Sequence, residues 1–109
     1  MTYRVLISSR ARRDLSQISR WWAENRDATQ ASQWYDGMLA ALRSLNENPA
    51  GHPLAHEDER FPYELHELHF GLSSRATHRA LFTIESDCVV ILAIRHAAQR
   101  EVTPGDISR

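Results

Sequence analysis

The sequence predicts a two-layer α+β fold: a helical hairpin packed on a mostly antiparallel four-stranded sheet, in the order β-α-α-β-β-β. Three observations predict it. A period-2 segment opens the chain, two amphipathic helical stripes follow on either side of a short polar break, and three strand-like runs close it, the last apolar on both faces. The 109 residues are read as one domain over 1–109, long enough to bury roughly two-thirds of the unfolded surface without a disulfide or a metal.

Tyr3, Val5 and Ile7 alternate with Arg4 and Leu6, the pattern of a first strand. Ser8 or Ser9 can cap the helix that follows, where Ala11, Leu15, Ile18 and Trp22 recur at i, i+4, i+7 and i+11. Arg10, Arg13, Gln17 and Arg20 fall on another face and stay wet. After the break Asn25-Arg26-Asp27, Asp27 or Thr29 can cap a second helix, joined to the first by about four residues as an antiparallel hairpin. Its stripe is Ala31, Trp34, Tyr35, Met38, Leu39, Leu42 and Leu45, wide enough to meet the sheet and also the first helix or a partner. Gly37 interrupts it at a cost of about 1 kcal/mol relative to alanine. Pro49 ends the helix, since proline cannot continue the ladder and biases Asn48 away from it.

From Pro49 to Pro62 the chain reads as a long surface loop, with three prolines, one glycine and the acidic run Glu57-Asp58-Glu59. Strands are expected over Tyr63–Phe70, Thr77–Glu85 and Val89–His96. The last should be central and buried, and Glu85–Cys88 should form the tight turn before it.

Charge is unevenly laid out beneath a net of −1. Residues 1–30 carry six arginines against three acids, residues 47–67 six acids against Arg60, and residues 68–100 four arginines against Glu85 and Asp87. That suggests a basic face rather than a wholesale polyanion binder. All thirteen cations are arginine, so no lysine can act as base, nucleophile or phosphate clamp. The lone Cys88 excludes a disulfide framework. No apolar run approaches the ~20 residues of a membrane span and the N-terminus has no signal-peptide pattern, so a cytoplasmic protein is expected.

Six histidines invite a metal reading, but none is expected. His52 and His56 lie in the proline-rich loop, where an i, i+4 spacing means little. His66 and His69, three apart on a strand, face opposite sides. There is no nucleophile elbow and no glycine-rich phosphate loop, so no cofactor is expected either. One cluster remains. If the last two strands pair through the 85–88 turn, paired residue numbers sum to about 173, and Arg79 falls opposite Ala93 to Arg95. Arg79, Arg95 and His96, with Arg100 just beyond, would then gather at one end of the sheet. They could bind phosphates, or stabilise a pentacovalent phosphorus while His96 shuttles a proton. Equally, they could be sheet-edge residues paired with Glu64, Glu67 or Glu101.

The run Arg79-Ala80-Leu81-Phe82-Thr83-Ile84, the short acidic turn, Val90-Ile91-Leu92-Ala93-Ile94-Arg95-His96 and Arg100-Glu101 resemble the RelE/ParE toxins. So does the start, Tyr3-Arg4-Val5-Leu6-Ile7-Ser8-Ser9-Arg10-Ala11-Arg12-Arg13-Asp14-Leu15, and the similarity spans residues 3–102. The resemblance implies the toxin of a type II toxin–antitoxin or plasmid-stabilisation module, arresting growth until a cognate antitoxin binds it in a hetero-oligomer. RelE-like members cut mRNA at the ribosomal A site, with basic residues on the sheet and often a tyrosine near the C-terminus; ParE-like members poison DNA gyrase. Only Arg79, Arg95, His96 and Arg100 fall on the family's functional end, as catalytic groups if the protein is an RNase and as target contacts otherwise. Thr103 stands where an RNase would often have tyrosine, and lysine is absent, so the departures favour a ParE-like gyrase poison. A ribosome-dependent mRNA endoribonuclease is the alternative, and a non-toxic binding module of the same fold a third reading. Trp21 and Trp34 are the candidate antitoxin contacts.

Overall fold

The computed structural model describes residues 2–107. Strand β1 (Arg4–Ile7) leads directly into helix α1 (Ser9–Asn25), which pairs with helix α2 (Ala28–Arg43). Strands β2 (His66–Phe70), β3 (His78–Glu85) and β4 (Cys88–His96) follow. The sheet order is β1-β4-β3-β2, with β1 parallel to β4 and the other pairs antiparallel. Strand β4, whose run Val89–Ile94 is apolar on both faces, is therefore interior, as its two-sided hydrophobicity requires.

Each helix begins where a side chain accepts an orphan amide. Ser8 takes the Ala11 N–H and Asp27 takes the Gln30 N–H. The hairpin needs only Arg26 and Asp27 between its helices, a tighter connection than the four residues expected. Ala11 and Leu15 of α1 and Trp34, Met38 and Leu42 of α2 are buried against Ala80, Phe82, Val89 and Ile91 of the sheet. Gly37 has a packing reason that the sequence does not show. The Phe70 ring lies against it, and a Cβ there would come within 2.6 Å of the ring.

The β3–β4 ladder runs from Glu85↔Cys88 to Phe82↔Ile91, then skips Leu92 and resumes at Leu81↔Ala93. This bulge raises the pair sum from 173 to 174 and sets Arg79 directly opposite Arg95 and His78 opposite His96. Because side chains alternate, it also sends the two pairs to different faces.

The second face of the sheet is covered too. The segment expected as a surface loop contains two single 3-10 turns, Pro49–Gly51 and Asp58–Arg60, and a bridge from Leu54 to His66. Ala55 and Phe61 from it, Leu65 just after it, and Val102 and Ile107 of the tail pack on Leu81, Leu92 and Ala93. Its inner side is thus buried rather than wet, and β2 starts at His66, three residues later than expected, because Tyr63–Leu65 belong to that cover. Among the described residues no helix is long and apolar enough to cross a membrane.

Candidate functional site

The four residues expected at the end of the sheet converge there, but not as one cluster. Arg79 is buried, on the face covered by the loop and tail, and both terminal nitrogens of its guanidinium donate to Glu57, one of them at 2.9 Å to Oε1. Glu67 lies 3.4 Å from the same group. Glu57 is itself completely buried and also accepts the Val102 N–H at 3.0 Å. Burial alone would raise the Glu57 pKa; the Arg79 fork and the Val102 amide outweigh it and hold the carboxyl at about 2. The Glu57 hydrogen bonds in turn raise the pKa of Arg79. Of the acids considered from sequence, Glu67 is a partner of Arg79; Glu57, read there as a loop acid, is the main one.

Arg95 shares that face and is buried without a carboxylate. It donates to the Arg100 carbonyl at 3.0 Å, and its Nε has no hydrogen-bond partner among the described residues. Burial, and then the charges of Arg100, Arg79 and Arg10, lower its pKa. Arg100 is exposed and forked onto Asp106, with both contacts at 2.9 Å.

His96 lies on the helix face instead, edge-on to His78 with 5.1 Å between ring centroids. Its Nδ1 accepts the Ala98 N–H at 3.0 Å, which leaves the ring proton on Nε2 when the ring is neutral. The sheet itself separates it from Arg79, which overturns the expectation of guanidiniums and imidazole acting together on one side.

Trp34 is corrected outright as a partner contact. It is fully buried in the helix–sheet core, with its ring against His78 at 5.1 Å, because it sits at the centre of the α2 stripe. Trp21 is 49% exposed near the end of α1, with the Arg26 guanidinium 5.9 Å from its ring. A groove that the sequence gives no hint of runs between β1 and the hairpin. It encloses about 600 Å³, is floored by Val5, Ile7, Tyr35 and Leu39, and has Arg12 and Arg43 on its rim.

Asp14 is the polar residue that the helical pattern could have revealed, since it falls on the apolar stripe between Ala11 and Leu15. It accepts the Ile94 N–H at 2.9 Å, capping the edge of β4 beyond the end of β1, and also pairs with Arg10 at 3.1 Å. No such signal marks Glu57, which lies outside any periodic segment.

The family model described as the ParE toxin of the type II toxin–antitoxin system parDE matches residues 5–101. The chain belongs to that toxin family. Among solved structures, this ParE-family toxin is similar to the chromosomal ParDE toxin–antitoxin system from P. aeruginosa, with a TM-score of 0.70 at 16% identity, over 87% of this chain and 96% of that one. A RelBE2 toxin–antitoxin complex from Mycobacterium tuberculosis matches with a TM-score of 0.46 at 24% identity, over 88% and 99% of the two chains. No curated protein matches the toxin.

Proposed function

We propose that this toxin halts bacterial growth by poisoning DNA gyrase in the cytoplasm, and that a cognate antitoxin neutralises it. The observation that carries the gyrase reading is the division of the sheet end. A nuclease needs its acid, base and charge stabiliser around one phosphorus. Here Arg79 is committed to Glu57, Arg100 to Asp106, and His96 points away on the other face. A poison needs only a surface complementary to an enzyme–DNA intermediate. The groove between β1 and the hairpin supports the antitoxin reading: its apolar floor and arginine rim suit a segment bearing both apolar and acidic side chains.

Induced expression tests both parts. Growth should stop, gyrase-dependent DNA breaks should accumulate, ribosome-bound mRNA should remain whole, and co-expressed antitoxin should restore growth. His96→Ala should leave most of the toxicity. A-site mRNA cuts that vanish in His96→Ala, without DNA breaks, would overturn the gyrase reading in favour of a ribosome-dependent RNase. Leu39→Glu should abolish rescue by the antitoxin while toxicity persists; undiminished rescue would remove the groove from the antitoxin interface.

A further inference from the structure

We propose that the outer face of α1 is a seat for the phosphate backbone of duplex DNA. Arg12, Arg13, Ser16, Gln17 and Arg20 line one open hollow of about 310 Å³ on this helix, and all five are exposed. Every one of them carries a side-chain hydrogen-bond donor, and neither a carboxylate nor an apolar side chain lines the hollow.

Three arginines without a carboxylate partner among the described residues share this one helix face, whereas five others in the molecule are paired. Arg4, Arg10, Arg60, Arg79 and Arg100 each meet a carboxylate. Among the described residues none pairs with Arg12, Arg13 or Arg20. The two acids of α1 do not serve them: Asp14 is turned inward to the Ile94 amide, and Glu24 stands in the last turn. Three guanidiniums on two turns of one helix repel each other, and an anion relieves that repulsion.

The length and chemistry of the hollow select the occupant. Arg13 and Arg20 are seven residues apart, about 10 Å along the axis. A single phosphate bridges one end only, whereas a duplex, with a charge every ~1.7 Å of its axis, supplies both. Guanidinium forks match phosphate oxygens in pairs. A protein segment would call for an apolar anchor, which the groove beside β1 has and this hollow lacks. The strip ends at a neighbouring hollow lined by Arg10, Arg13, Asp14 and Gln17, where Asp14 pairs with Arg10 and leaves Arg13 to the strip. The choice of DNA over RNA rests on the gyrase reading, in which duplex DNA is the polyanion beside the bound toxin.

Fluorescence anisotropy with a labelled 20-base-pair duplex, at salt from 50 to 200 mM, tests the seat on the full chain. Wild type should bind, with affinity falling steeply as salt rises. Arg13→Gln/Arg20→Gln should weaken binding about tenfold and lower the slope of log affinity against log salt by about 2, while Arg75→Gln, on the β2–β3 connection, should change neither. Circular dichroism should show all variants folded. Absence of duplex binding at 50 mM salt, an unchanged slope in the double variant, or tighter binding of an RNA hairpin than of the duplex would each overturn the proposal. The assay contains no gyrase, so a negative result removes the seat alone. Failure of the gyrase reading appears instead as the absence of DNA breaks on induction.

Discussion

The two faces of the sheet are buried by different means. On one, the periodic stripes of α1 and α2 lay Trp34, Met38 and Leu42 over Phe82 and Ile91, and the contact is almost wholly apolar. On the other, irregular chain does the covering, with smaller apolar residues arranged around the Glu57–Arg79–Glu67 ion pairs. Apolar burial has no direction, so the helix face takes its register from the 3.6-residue period. The loop and tail have no such period. Glu57 substitutes for it by accepting from Arg79 on the sheet and Val102 on the tail, thereby joining three segments at one carboxylate. Regular elements are aligned by repetition here, and irregular ones by a buried charge.

The sharpest way to break this contrast is Glu57→Ala, which strands a buried guanidinium and should cost about 3–5 kcal/mol in urea unfolding. Glu57→Leu/Arg79→Met should recover most of that loss, because exchanging a whole buried pair for apolar groups is often neutral. Hydrogen exchange at the Val102 amide should nevertheless stay fast in the double variant, since its acceptor is gone. On the helix face Leu42→Ala should cost about 3 kcal/mol by opening a cavity, with no single amide selectively released.

Acid should separate the two faces. Burial, and then the neighbouring His96, hold the His78 imidazole at about 4, below its ordinary 6.5. Between those values the unfolded chain binds a proton that the folded one refuses. The contribution of His78 is therefore whole above pH 6.5 and is lost as pH falls towards 4, by up to about 3 kcal/mol. Glu57, held at about 2 against an ordinary 4.5, keeps its contribution above pH 4.5 and loses it as pH falls from there. Urea midpoints against pH should show both limbs, and His78→Gln should flatten only the one between pH 6.5 and 4.

Smaller effects sharpen the helix side. Gly37→Ala improves helix propensity yet sets a methyl against the Phe70 ring, so it should destabilise by about 1–2 kcal/mol, and Phe70→Leu should relieve it. Trp21→Ala, at an exposed position, should change the melting temperature least, by under about 0.5 kcal/mol in free energy.

What was legible in the chain follows the same division. The order of elements, the central position of β4 and the burial of Trp34, Met38 and Leu42 come from periods of 2 and 3.6 that survive in a single sequence. Ser8 and Asp27 were each one of two cap candidates, which local chemistry alone does not separate. The bulge at Leu92 is invisible because every residue around it is apolar. The Arg79–Glu57 pair is invisible because charge in a loop reads as exposure until the fold shows what lies beneath it. That missing pair is why the sheet end read from sequence as a ready cluster of cations.

The parallel pairing of β1 with β4 has a consequence for synthesis. Arg4 is aligned with Cys88, so the first strand has no neighbour in the sheet until the last one is made. At about 5–20 residues per second on the ribosome, that interval is roughly 4–17 s. Until then β3 also lacks one of its two neighbours, and the core beneath the hairpin stays open. A chain that stops short of β4 therefore has neither the pairing partner of its first strand nor the central strand on which the helical hairpin packs.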